Sequence, residues 1–306
     1  MIKTGQDTPV NKRILLLILN SGEEELSKSL ELLANQTYKN WDKVIFSNLS
    51  NKVAHDTLYK YIMDSGDKYD LFIKLDADMV LINNYALEAI ARYFENNPNV
   101  DQGNFSVYDA MSNQNIMGLL VFTKNARWKG SDEKLFVDYT PTIPGKRLLI
   151  WDKPAPVAIH CPNPHLFQAF HYGAHRAMKA IQTNRAKKNY IQSAIQWHLL
   201  YRVWRYFSAK KDIKRGMMML GAYSVFKKIV DESANEYENK SLIRAFEEFR
   251  NMETNGILTL LSKEWGRVVT LNNLLYLLLW PKLTEYKIRS IVAAKYNNYS
   301  NLAKRL

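Results

Sequence analysis

Asp70-Leu71-Phe72-Ile73-Lys74-Leu75-Asp76-Ala77-Asp78-Met79-Val80-Leu81 is the stretch of this 306-residue chain around which the rest is organised. A short apolar run, residues 71–75, leads into two carboxylates two positions apart, and a second apolar run, 79–82, follows at once. The first run, bounded by polar residues, reads as a buried strand. At the end of a strand Asp76 and Asp78 can both turn into one crevice, and two closely spaced carboxylates suit a hard divalent cation such as Mg2+ or Mn2+. A metal held there can bridge two phosphates of a nucleotide and stabilise a departing diphosphate. The chain has 15 Asp, so chance alone supplies about 0.7 Asp-x-Asp pairs. On spacing alone a solvated loop carrying two acids is the commoner meaning, and the weight comes from what surrounds the pair.

Upstream, residues 14–19 (ILLLIL) are continuously apolar, as expected of a strand buried on both faces of a parallel sheet, and they run into Asn20-Ser21-Gly22. Glu23, Glu24 and Glu25 suit a first helical turn, where negative charge is favourable, with Ser21 as the expected N-cap. Leu26, Leu30 and Leu33 recur at helical spacing. Residues 36–41 (QTYKNW) are a turn-like link to a second short strand, 44–46, which ends at Ser47-Asn48. A helix is expected over 53–63. Strand, helix, strand, helix, strand makes a parallel, Rossmann-like half whose ligands bind at the carboxyl ends of the strands. Asn20, Asn48 and Asp76 all fall at such ends.

Further along, a helix is expected over 84–94, and strands over 105–108, 117–122, 147–151 and 157–160. Residues 124–146 form a polar loop that carries Asp132, Glu133 and Asp138. From about His165 onward the pattern is helical. The expected organisation is therefore an α/β catalytic domain over 1–160 and a helical, basic region over 161–306.

Charge divides at the same place. The net charge of +12 is made of 18 Lys and Arg against 20 Asp and Glu in residues 1–160, which is −2, and 24 against 10 in residues 161–306, which is +14. A basic back half points to a polyanionic partner, either anionic lipid or nucleic acid. The hydrophobic content of 47% and charged content of 24% are those of a globular protein. The single cysteine, Cys161, excludes an intrachain disulfide framework and fits a reducing compartment such as the cytoplasm. No secretory signal or transmembrane-length run is visible.

Residues 14–20, Leu30 followed by 36–41 (QTYKNW), 44–48 and Lys74-Leu75-Asp76-Ala77-Asp78 together resemble a family 2-type glycosyltransferase of the GT-A fold, most closely over residues 12–100. The resemblance implies a GT-A-type Rossmann-like mixed sheet flanked by helices, with the mostly helical basic region appended. It implies a metal-dependent transferase that moves a sugar from a nucleotide-diphosphate sugar to a glycan or lipid-linked acceptor in surface polysaccharide biosynthesis. Asp76 and Asp78 would hold Mn2+ or Mg2+, and Asn20, Asn48 and Asp76 the nucleotide. The Glu-Asp pair that supplies the family's catalytic base is not recognisable here, and Asp138, with Glu133 behind it, is the substitute for it. Ala158-Ile159-His160-Cys161-Pro162 resembles the late strand end that supplies a third metal ligand, here His160. Two further departures stand out: Ser47 and Asn48 replace the acids that usually hold the base, and the opening strand keeps only Asn20 of its usual turn.

Other features take plainer meanings. His171 and His175 share a helix face at i, i+4 but lack the Glu of a zinc-protease motif. They are expected to point away from the acids and to share a polar face, or contact phosphate, with Arg176 and Lys179. Trp197, Tyr201, Arg202, Trp204, Arg205, Tyr206 and Phe207 interleave aromatic with basic groups. This composition suits a membrane-surface helix, a nucleic-acid stacking platform or an ordinary helical core with a basic edge. Residues 271–280, followed by Pro281-Lys282, have the composition of a bilayer interface. A nucleotidyltransferase of similar fold lacks its Gly-rich signature here, and nucleic acid is the less favoured partner. The expected location is cytoplasmic, peripheral on the inner face of the membrane.

Overall fold

A computed structural model of the chain describes residues 10–130, 142–150, 156–183, 185, 187–231 and 236–295. The front half runs β1 (Ile14–Asn20), α1 (Glu25–Ala34), β2 (Trp41–Ser47), α2 (Asn51–Ser65), β3 (Leu71–Asp76), β4 (Met79–Leu81), α3 (Ala86–Asn96), β5 (Val100–Asp109), β6 (Gln114–Thr123), β7 (Lys146–Ile150) and β8 (Ala158–His160). These strands form one mixed sheet in the order β2-β1-β3-β6-β5-β8-β4, with β7 pairing alongside β5. The first three are parallel, β6 returns antiparallel to β3, and β8 runs parallel to β5 and antiparallel to β4. The architecture is the mixed α/β sheet flanked by helices, followed by a mostly helical region, that the sequence pattern predicts.

Alternation in the central strands builds two apolar layers. Ile14, Leu16 and Ile18 face one side of the sheet with Leu71, Ile73 and Leu75, while Leu15, Leu17 and Phe72 face the other. With a period of two, Lys74 and Asp76 follow Phe72 onto its face, so an ammonium and a carboxylate become neighbours at the carboxyl end of β3. The QTY segment is structural. Gln36 is buried, accepts the Leu87 N–H through Oε1 and donates to the carbonyls of Leu32 and Asn83, locking α1 against the start of α3.

One cap differs from expectation. Gly22 takes a φ of +97°, a turn open to glycine at little cost, so α1 begins only at Glu25. Glu24 stands at the N-cap position without a side-chain cap, and the Ser21 N–H instead donates to the Glu23 carboxylate at 2.7 Å. Glu23 is thereby turned away from the helix.

The back half is α4 (Leu166–Ile181), α5 (Tyr190–Lys210), α6 (Ile213–Phe226), α7 (Lys240–Phe249), α8 (Thr254–Lys263) and α9 (Trp265–Lys295). His165, Asn189, Asp212 and Asn239 cap four of these, each accepting a first-turn N–H. Helices α4 and α6 touch backbone to backbone: a Cβ on Gly173 would lie 1.7 Å from the Met218 carbonyl oxygen, and one on Gly221 1.9 Å from that of Phe170. Trp197 and Phe207 of α5 are buried in this helical core, and Trp204 packs on it. These three of the interleaved aromatics thus serve packing. Arg215 ties α6 to the sheet by donating to the carbonyls of Ala110 and Met111 at 2.6 and 2.9 Å. Glu25 accepts from the Asn163 N–H at 3.2 Å and from Gln168 Nε2 at 3.0 Å, which seats α4 over the strand ends.

Candidate active site

A cavity of about 290 Å³ opens where the carboxyl ends of β1 and β3 meet α4. Register places its acids. Met79 of β4 pairs with His160 of β8, and the Cys161 N–H donates to the Asp78 carbonyl at 2.8 Å, so the Asp76–Asp78 turn lies against the end of β8. His160 Nε2 stands 3.2 Å from Asp78 Oδ2. His160, the third ligand expected from the sequence, therefore lies beside the Asp76–Asp78 turn. Its other ring nitrogen, Nδ1, lies 2.8 Å from Asp109 Oδ1.

Asp109 is the residue that sequence reasoning missed. It ends β5, is 0% exposed and accepts from His160, from Tyr172 OH at 3.0 Å, from the Ser112 N–H at 2.9 Å and from the Ser112 hydroxyl. Its signal, an acid closing an apolar strand, is the same one that marks Asp76. Burial opposes charge on this trio, but the carboxylates on either side of His160 outweigh it and raise the imidazole to about 10. Burial likewise raises Asp109, but the His160 hydrogen bond and charge, followed by Arg176, hold it at about 2. Asp78 is also lowered, its burial overcome chiefly by His160 and then Lys74. An imidazolium thus sits between two carboxylates, and a metal on Nε2 would take the place of that proton.

The Lys74 ammonium reaches both oxygens of Asp76, at 2.8 and 3.1 Å, and is itself buried. Each of those oxygens keeps a lone pair for a further partner. Glu23 lines the same cavity, and its carboxyl rises to about 7 through burial, then through Asp78 and, more weakly, Asp76. Among the described residues no three His, Cys, Asp or Glu side chains form a ready-made metal cage. Asp78 Oδ1, however, is buried without a hydrogen-bond partner among the described residues. An orphaned carboxylate oxygen beside an imidazole and a second acid is a donor set that fits a hard or borderline cation whose shell is completed by substrate oxygens.

Helix α4 supplies the opposite wall with His171, Tyr172, His175, Arg176 and Lys179. This corrects the expectation that His171 and His175 point elsewhere: the i, i+4 face looks into the cavity because Glu25 and the Gly173 contact hold α4 across the strand ends. His165 does lie apart, as the cap of α4. A hydrogen-bonded chain crosses the floor, from Asp78 through His160, Asp109 and Tyr172 to Arg176 Nη2, which is 2.8 Å from Tyr172 OH. Cys161 is buried, and burial raises its thiol, so it is no nucleophile at neutral pH.

Asn20 and Asn48 stand beside the cavity and do not line it. Asn20 Nδ2 donates to Ser47 Oγ at 3.0 Å, its Oδ1 accepts from the Gly22 N–H, and Asn48 takes a positive φ of 58°. Leu19, Ser21, Leu49 and Asn51 are the neighbouring residues that face in. Asp138 and Glu133 lie outside the described residues.

No family model matches the sequence, and no curated protein sequence matches it. Among solved structures, the chain is similar to the mannosyltransferase PcManGT from Pyrobaculum calidifontis in complex with GDP-Man and Mn2+. The identity is 13% and the TM-score 0.34, over 94% of this chain and 88% of that one. It is also similar to S. aureus TarS 1-349 in complex with UDP-GlcNAc, at 10% identity and a TM-score of 0.31, over 79% of this chain and 92% of that one. Likenesses this distant add nothing to the geometry above.

Proposed function

We propose that this chain is a metal-dependent glycosyltransferase of GT-A type that moves a sugar from a nucleotide-diphosphate sugar to a glycan or lipid-linked acceptor in surface polysaccharide synthesis. The observation that carries this reading is the orphaned Asp78 Oδ1 beside His160, at the carboxyl ends of parallel strands where α/β sheets take nucleotides. Asp78, with His160 and the second lone pairs of Asp76, would hold Mn2+ or Mg2+. When bound, the ion supplies positive charge to offset that of the departing diphosphate.

The remaining work belongs to the chain itself. Asp109 orients His160 through Nδ1 and leaves Nε2 facing Asp78, the carboxylate–histidine arrangement that supports metal ligands. Lys74 neutralises Asp76 until a cation arrives, pairing with both of its oxygens. Asn20 and Asn48 would hold the nucleoside, and, if the reaction inverts, Asp138 would be the base that takes the acceptor proton, a contribution worth roughly 10²–10⁴-fold in rate.

Helix α9 supports a peripheral position on an anionic bilayer. Among the described residues no helix is long and apolar enough to cross a membrane. Yet Leu271, Leu274 and Leu278 are exposed on one face of α9, Leu278 at 78%, with exposed Arg267 before them and exposed Lys282 after. Apolar residues flanked by cations are what an interfacial helix presents to acidic lipid.

A panel of nucleotide-diphosphate sugars incubated with Mn2+ tests the reading through the product released. Free nucleoside diphosphate from at least one donor, lost in chelator, is expected. Pyrophosphate in its place points to nucleotidyl transfer, and no turnover of any donor contradicts both.

A further inference from the structure

The two walls of the cavity carry opposite charge, and only one of them has a part in the function proposed above. The strand-end wall holds Glu23, Asp76 and Asp78. The α4 wall holds His171, His175 and Lys179, which share one helical stripe, and Arg176 on its flank.

Arg176 is the informative member. Its hydrogen bonds go to neutral oxygens, Gln196 Oε1 at 2.9 Å and Tyr172 OH at 2.8 Å, and its guanidinium lies 4.8 Å from the Tyr172 ring centre. Its Nε is buried with no hydrogen-bond partner among the described residues. The same holds for Nδ1 of His175, the preceding residue. The His175 imidazole is held well below its usual range, first by burial and then by the nearby Lys179, His171 and Arg176. Asp109, and beyond it Asp78, act on Arg176 from the cavity floor without bonding to it, and Glu236 borders the wall at its rim. Both of its oxygens lie within reach of the Asn51 N–H, at 3.0 and 2.9 Å, and its carboxyl is raised, chiefly by burial. A wall that gathers a guanidinium, an ammonium and imidazoles, and leaves two N positions unmatched, is built for an anion to arrive.

The donor's diphosphate is not that anion. On the reading above it would be held through a divalent ion at the acid wall, where a bare diphosphate would be repelled by Glu23, Asp76 and Asp78. We propose that the α4 wall is a second, metal-independent anion site that binds a phosphate carried by the acceptor, with Lys179, Arg176 and His175 as its contacts. The acceptor assignment rests on the glycosyl-transfer reading, whereas the anion site rests on geometry alone. The phosphate can belong to an isoprenoid-type lipid or to a soluble polyol phosphate, since both present the same oxygens to this wall.

Isothermal titration in the presence of EDTA tests the site with inorganic phosphate, glycerol 3-phosphate and farnesyl phosphate. Glycerol serves as the uncharged control. Wild-type protein is expected to bind the phosphates and not glycerol, and a tighter constant for farnesyl phosphate or for glycerol 3-phosphate identifies the source. Lys179→Gln and His175→Leu, each checked for an unchanged melting curve, should weaken phosphate binding at least tenfold. Asp78→Asn should leave it within twofold. Phosphate should also bind when the acid wall is filled with Mn2+ and a nucleoside diphosphate. Absence of phosphate binding in EDTA overturns the site. So does equal weakening by Asp78→Asn, and displacement by Mn2+-nucleoside diphosphate overturns the acceptor assignment. Because the EDTA titration needs no donor, its failure is separate from a failure of nucleotide sugars to bind in Mn2+, which would overturn the glycosyl-transfer reading.

Discussion

Replacing Asp109 with Asn removes one charge from the centre of the site and almost no volume. The native carboxylate is wholly buried and accepts from His160 Nδ1 at 2.8 Å, Tyr172 OH at 3.0 Å and the Ser112 N–H at 2.9 Å. Asparagine keeps one oxygen for these donors and sets an NH2 group where the other oxygen stood. Taking one partner from a buried ion pair costs about 3–5 kcal/mol. His160 would still face Asp78 at 3.2 Å, which places the expected loss near the lower end, about 3 kcal/mol. Urea denaturation at pH 7 measures it directly. The same change frees the His160 ring to turn, and loss of such a supporting partner lowers metal affinity by about 10–100-fold. Calorimetric titration with Mn2+, without any donor, reads that second effect. An Asp109→Asn protein that unfolds at the wild-type urea concentration and binds Mn2+ with wild-type affinity would show that Asp109 neither anchors His160 nor supports a metal.

Three further outcomes are expected. Gly221→Ala sets a Cβ 1.9 Å from the Phe170 carbonyl oxygen, so α4 must move by an ångström or more; overpacking of this kind costs about 1–3 kcal/mol, and a mutant with an unaltered melting temperature would mean that the α4–α6 contact is looser than described. Lys74→Met removes the ammonium that pairs with both Asp76 oxygens at 2.8 and 3.1 Å; a single positive charge a few ångströms from a divalent ion costs about 1.5 kcal/mol even with the screening of bulk water, so Mn2+ should bind roughly tenfold tighter, and weaker binding would mean that Lys74 chiefly orients Asp76. Leu274→Glu with Leu278→Glu should abolish sedimentation with anionic liposomes at low salt and leave the melting temperature unchanged, because both side chains are exposed; liposome binding that survives the double change would move the membrane contact away from α9.

Much of the front half was legible because its signals are local. Residues 14–19 had to be buried on both faces, the apolar run at 71–75 had to end at Asp76, and the short strand before Cys161 had to end at His160, which the structure places 3.2 Å from Asp78. What was not legible depends on packing between distant segments. The direction faced by His171 and His175 is set by the Gly173–Met218 approach and by Glu25 reaching Gln168, neither of which leaves a periodic trace. The expected N-cap at Ser21 failed because the positive φ of Gly22 delays the helix and turns Glu23 into the cavity. Asp109 escaped notice because an acid closing a strand gains meaning only once β5 and β8 lie side by side. The aromatic and basic residues of α5 admitted three meanings in sequence, and burial of Trp197 and Phe207 against the other helices favours the plainest of them.

Nucleoside diphosphate release by Asp78→Asn, set against wild type with the same donor and Mn2+, bears most directly on the proposed function. Asparagine is preferred to alanine because Asp78 is mostly buried and bonded to His160, not a solvent-facing end of a strand, and a matched melting curve excludes collapse of the site as the cause of any loss. Removing a charge that positions the ion opposite a departing diphosphate should lower turnover by about 100-fold or more. Wild-type turnover in Asp78→Asn, still dependent on Mn2+, would show that the metal and the donor sit elsewhere in the molecule.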